Sequence, residues 1–207
     1  MLSCVLPALA LLAMTPSAGG WAVITVEELP DYVSAGKPVS LDFTVRQHGV
    51  TRLTDLTPTV VATLGRTSTR VRASAAEKDG QYSAMLTLPQ PGDWSITIHS
   101  GFGESSNTLL PLHATGPGET PAALSDVERG RRFFVAKGCV TCHVDMQVGP
   151  DLTPKRYEAG WLGSFLKSPS KLPGSTNTNT MPNLNLDANE IAALTAYVNA
   201  ERRTPVR

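Results

Sequence analysis

From Trp21 to about Ala114 the apolar and polar positions fall in short runs separated by turn residues. Trp21 to Val26 is rich in β-branched residues, Pro38 to Val45 alternates apolar with polar, and Thr59 to Leu64 repeats the pattern. Tyr82 to Leu88 and Trp94 to Ile98 follow. Such period-two runs place alternate side chains on one face, so they predict half-buried strands. Between them stand Ala35-Gly36-Lys37, Asp79-Gly80 and the cluster Pro89-Gln90-Pro91-Gly92-Asp93. There Pro fixes φ and Gly accepts a positive φ, and both end a strand. Beyond Ser125 the period changes. Ser125-Asp126-Val127-Glu128 is a capping box that predicts a helix running to about Lys137, with Gly138 as its stop. Asp187-Ala188-Asn189-Glu190 predicts a second start, flanked by Leu186 and Ile191 and continued by the apolar face of Leu194, Tyr197 and Val198. Tyr157, Trp161, Phe165 and Leu166 also fall on helical spacing.

Short strands at this spacing predict a β-sandwich of immunoglobulin-like type over residues 21–114. Residues 115–124 contain Thr115-Gly-Pro-Gly-Glu-Thr-Pro121, which can continue neither a helix nor a central strand, and are read as a linker. Residues 125–207 then form an all-α part. The expected fold is therefore multidomain, an all-β sandwich followed by a helical domain, each able to fold by itself. Residues 1–20 read as a signal peptide: Leu2 to Met14 is apolar and Thr15 to Gly20 supplies small residues for cleavage. The run is short for a membrane span, which needs about 20 apolar residues. Cleavage and release outside the cytoplasm is the expectation, with retention as an anchor the alternative.

Charge narrows the function. The chain has 18 Lys and Arg against 18 Asp and Glu, so no basic footprint for nucleic acid is present. Of three cysteines, Cys4 lies in the leader and Cys139 and Cys142 remain. They belong to Cys139-Val140-Thr141-Cys142-His143, two thiols followed at once by an imidazole, which is the attachment signature of a c-type haem. A thioredoxin-like couple would need a βαβ context, and a zinc site would need further ligands in this half. Neither is present in the pattern. One haem c, covalently held through Cys139 and Cys142 and ligated by His143, is the expected cofactor. For a sixth ligand, no histidine follows His143, and Met146 and Met181 are the remaining methionines. Met146 is too close in sequence to reach the opposite face of the ring, which leaves Met181. His143 and Met181 are thus the expected metal ligands.

With Gly130, Phe134 and the Cys139 to His143 motif in view, residues from about Ser125 to Arg203 resemble the class I c-type cytochromes. The resemblance implies a first helix crossing a last one, with Gly130 and Phe134 against Leu194 and Tyr197. Met181-Pro182 is similar to the family's ligand loop. Val148-Gly-Pro-Asp-Leu152 resembles its Gly-Pro-x-Leu segment, which implies that the Pro150 carbonyl accepts the Nδ1 proton of His143. Tyr157 and Trp161 are placed as haem-contacting side chains, able to donate to the propionates, with core packing as the other reading. The stretch from Gly80 to Ile98 is similar to small Ig-like domains found near cytochrome-oxidase assembly and copper-handling proteins.

The resemblance implies an electron carrier and not an enzyme, passing single electrons between a donor and an acceptor of a respiratory or photosynthetic chain. Membrane complexes are the expected partners, with the β-domain docking or spacing the haem domain. Two other functions fit parts of the sequence. A labile Met181 would open the iron to peroxide or a gas, although the polar loop Ser175 to Thr180 offers no acid or base. Copper delivery would use His48, His99, His113 or Met85 in the β-rich half.

Overall fold

The computed structural model describes residues 20–153, 156–169 and 181–200. The leader, the polar loop Ser175 to Thr180 and the chain beyond Ala200 lie outside the described residues. The β-rich part runs β1 (Ala22–Val26), β2 (Tyr32–Ser34), β3 (Pro38–Gln47), β4 (Thr51–Arg52), β5 (Thr59–Leu64) and β6 (Thr67–Arg72). It continues with β7 (Ser74–Ala75), β8 (Gln81–Thr87), β9 (Gly92–His99), β10 (Ser106–Thr108) and β11 (Leu112–Thr115). One sheet has the order β1-β3-β8-β7, with β4 on β3; the other has β2-β11-β9-β5-β6, with β10 on β9. Pairing is antiparallel except between β2 and β11.

Alternation explains the core. Leu41, Phe43 and Val45 of β3, Tyr82, Ala84 and Leu86 of β8, and Trp94, Ile96 and Ile98 of β9 are all buried in one cluster. Two buried polar groups in it are satisfied: the Tyr82 hydroxyl donates to the Leu53 carbonyl (2.9 Å) and Trp94 Nε1–H donates to the Gln90 carbonyl (2.9 Å). The two-sheet architecture is compatible with an immunoglobulin-like sandwich. The five strands expected from alternation are present. The short strands β2, β4, β7, β10 and β11 carry too few residues for a period, and β6 is hydrophilic on its exposed side, so none was legible.

The helical part contains α1 (Asp126–Ala136), a π-helical turn (Thr141–Asp145), α2 (Ala159–Lys167) and α3 (Ala188–Val198). Both predicted capping boxes form: Ser125 with Glu128, and Asp187 with Glu190. At the α1–α3 crossing a Cβ on Gly130 would stand 1.9 Å from the Ala193 carbonyl oxygen, so only glycine lets the backbones touch. Phe134 and Tyr197 fill the contact beside it, with ring centroids 5.4 Å apart. Tyr157 lies outside α2, which begins two residues later.

The Gly/Pro segment does not hold the two parts away from each other. β1 is buried at every position, whereas a strand with one solvated face would alternate. Ala22, Ile24 and Val26 face the sandwich core, while Val23 and Thr25 meet the chain around Lys137 and Gly138. Arg129 grips Asp31 with Nη2 at 2.8 Å, and Arg132 donates to the carbonyls of Asp31 (2.7 Å) and Pro30 (3.1 Å). Ala136 of α1 is part of the sandwich core itself.

Candidate functional site

The site is built where α1 stops. Lys137 caps the helix and Gly138 leaves it at φ +78°, the left-handed region that glycine enters without a steric cost. Cys139 follows directly and is buried; Cys142 lies half-buried in the π-helical turn, and the two thiols are not joined to each other. That turn is closed by the Met146 amide donating to the Thr141 carbonyl (2.8 Å), and the Gly149 amide donates to the Cys142 carbonyl (2.9 Å). Burial pushes the Cys139 thiol up to about 12 and raises that of Cys142 as well. Neutral thiols of this kind are poorly suited to act as redox nucleophiles.

His143 is oriented by the loop after it. Its Nδ1 lies 2.9 Å from the Pro150 carbonyl oxygen. A carbonyl can only accept, so Nδ1 carries the proton and Nε2 keeps its lone pair for a metal. Burial lowers the imidazole pKa, opposed by the Pro150 bond, and so favours the neutral ligand form. A Cβ on Gly149 would lie 2.7 Å from the His143 ring, so the bare glycine backbone cradles the imidazole flat against the loop. Phe134 stands on another side at 6.4 Å between centroids.

One buried cluster gathers Cys139, Phe134, Leu162, Leu166, Leu184, Leu194 and Tyr197, and Tyr157 and Met181 pack partly buried against it. Met146 is 42% exposed and lies at the end of the π-helical turn. Trp161 is 44% exposed, stacked between Tyr157 (5.6 Å, 13°) and Phe165 (5.4 Å, 6°). Sequence reading missed Asn199: its Oδ1 accepts from the Tyr157 amide (2.8 Å) and its Nδ2 donates to the Tyr157 carbonyl (2.9 Å). An Asn just past a helix end is the only signal, and it reads equally well as an ordinary cap.

The donor set fits a covalent haem: one thiol precedes and the other lies within a turn whose imidazole is fixed through Nδ1, and a thioether borders the same apolar cluster. The histidines proposed for copper are placed differently. His48 packs on Trp21, and His113 lies between Asp93 and Glu119, each at 2.7 Å. Among the described residues no three His, Cys, Asp or Glu side chains are arranged to hold a metal ion. Nor is any described helix long and apolar enough to cross a membrane.

No curated protein matches the chain. Among solved structures, a superoxide reductase (neelaredoxin) from Ignicoccus hospitalis is similar at 14% identity and a TM-score of 0.31. That likeness covers 45% of this chain and 80% of the other. Residues 127–200 match the sequence model of the Cytochrome c family. Such a domain implies covalently bound haem c and supports haem-based electron transfer. The helical part of this chain is a cytochrome c domain, fused behind an N-terminal β-domain.

Proposed function

We propose that the chain is an exported monohaem electron carrier, working outside the cytoplasm between redox proteins of a respiratory or photosynthetic chain. Cys139 and Cys142 would hold one haem through thioethers, with His143 and Met181 as axial ligands. When bound, the group supplies one-electron chemistry between ferrous and ferric iron. The chain's own contribution is positional. Pro150 fixes the His143 tautomer and strengthens its donation, Gly149 lets the loop approach the ring, and the apolar cluster around Leu162 and Leu194 keeps water away. Membrane complexes are the partners this reading favours, with the leader directing export.

The observation that carries the reading is the contact from His143, at the end of the Cys139 to His143 motif, to Pro150 of the following loop, because it commits one nitrogen and frees the other. Chain exported with a haem-maturation system should retain one haem through acid-acetone extraction and denaturing electrophoresis. Cys142→Ser should leave a single thioether and a less stable product. Complete loss of haem from the unaltered chain under these conditions would refute covalent attachment.

A further inference from the structure

We propose that the β-domain is the positioning element of the haem-attachment turn, acting through Thr25 and Asn107 on the last carbonyls of α1. The inference rests on the haem reading of that turn. The final carbonyls of a helix lack intrahelical partners and must find them elsewhere. Here the Val135 carbonyl accepts from the Gly138 amide (3.0 Å), and the sandwich adds donors to it and to the Lys137 carbonyl. Asn107 of β10 donates through Nδ2 to the Val135 carbonyl (2.9 Å), and the Thr25 hydroxyl of β1 donates to the Lys137 carbonyl (3.3 Å). Both side chains are 1% exposed, so water does not compete for either bond. Asn107 Oδ1 is buried with no partner among the described residues. A buried orphan acceptor is costly, and an apolar residue would avoid it, so the position is explained by its donor, whose nearer acceptor is the Val135 carbonyl and whose farther one is the Ile24 carbonyl of β1 (3.5 Å).

The same few residues are held from other directions. Lys137 Nζ donates to the Glu27 carbonyl of the β-domain and pairs with Glu190 of α3 at 2.6 Å. A Cβ on Gly138 would stand 2.4 Å from Val23 Cγ1 and 2.9 Å from the Ile24 carbonyl, so the chain leaves α1 pressed against β1. The turn between β3 and β4 lies over the second cysteine: a Cβ on Gly49 would be 3.9 Å from Cys142 Sγ. Val135 and Lys137 are thus bonded to the sandwich, and Ala136 and Gly138 packed against it, immediately before Cys139, and the attachment turn takes its place from it. Thr25 and Asn107 touch no cofactor and are positioning residues.

The test uses the full haem-loaded chain and two readouts: amide exchange at Gly138, Thr141, Met146 and Gly149, and the midpoint potential. Thr25→Val removes the hydroxyl at nearly constant volume, and Thr25→Ser keeps it. Thr25→Val should speed exchange at Gly138 and Thr141 roughly fivefold, the equivalent of one hydrogen bond, and shift the potential. Thr25→Ser should restore both. Thr25 also accepts from Arg46 Nη1 (3.2 Å), so Arg46→Met is the control and should leave exchange in the turn unchanged. Asn107→Leu should reproduce the effect of Thr25→Val; should it fail to fold, the Thr25 pair alone decides. A Thr25→Val protein that melts earlier but keeps wild-type exchange and potential would show mere cohesion and overturn the proposal, as would faster exchange with an unmoved potential. Absence of covalent haem from the unaltered chain would instead sink the functional reading, and exchange alone would then decide whether the sandwich positions the turn.

Discussion

Met181 carries the choice between a closed carrier and an open iron. Its thioether belongs to the segment leading into α3 and packs on the cluster that includes Cys139, while Met146 is exposed at the end of the attachment turn. With Met181 as ligand, the ferric protein should show the weak far-red charge-transfer band of sulfur ligation. Met181→Ala should abolish that band, lower the reduction potential and raise peroxide reactivity. Met146→Leu, similar in volume and without sulfur, should leave the band intact. Survival of the band in Met181→Ala together with its loss in Met146→Leu would reverse the assignment. Elimination among the few sulfur and imidazole groups that follow Cys142 brought both methionines into view from the sequence and favoured Met181. Asn107 and Thr25 were not, since nothing local distinguishes a strand Asn or Thr that donates outward from one that meets water.

At the scale of elements, the Gly/Pro segment after β11 is tied down by charge. His113 on β11 lies between Asp93 of β9 and Glu119 of the segment, and Glu119 also accepts from the Gly116 amide (2.7 Å). Tyr32 of β2 faces the imidazole edge-on, and its hydroxyl donates to the Ala122 carbonyl. Hydrogen bonds to Asp93 and then to Glu119 raise the His113 pKa above its ordinary 6.5. The Gly116 amide and then His113 lower that of Glu119 below its ordinary 4.5. The His113 contribution to stability is therefore complete below the ordinary imidazole value and is lost as pH rises through the raised one. The Glu119 contribution is lost as pH falls through its lowered value. The clasp works between these limits. His113→Gln should lower the unfolding midpoint most near pH ~6, and the difference should shrink at pH ~9. A difference independent of pH would show that packing against Tyr32 and not charge is responsible.

For the whole molecule, Lys137 and Glu190 join three bodies: α1, α3 and, through the Glu27 carbonyl, the sandwich. Their side chains are 3% and 10% exposed. Glu190→Gln keeps the capping contact with the Asp187 amide but leaves the Lys137 charge buried without a counterion, and should cost about 3–5 kcal/mol in urea unfolding of the haem-loaded chain. The double variant Lys137→Met with Glu190→Gln should recover most of that loss; no recovery would assign the cost to the cap. Alternation, capping boxes and the Cys-x-x-Cys-His pattern, read from the amino acids alone, determined the two-part order, five of the strands, both ends of the helical crossing and where the Cys139 to His143 turn falls after α1. They did so because period, cap and Cys-x-x-Cys-His are local patterns. The outer face of β1, the donors that meet the end of α1 and the buried Lys137 to Glu190 pair were decided only by the tertiary structure. Each joins residues that are distant in the chain, 28 positions apart for Asn107 and Val135 and 112 for Thr25 and Lys137. A Val, Thr, Asn or Lys reads the same in sequence whether its far side meets water or another domain.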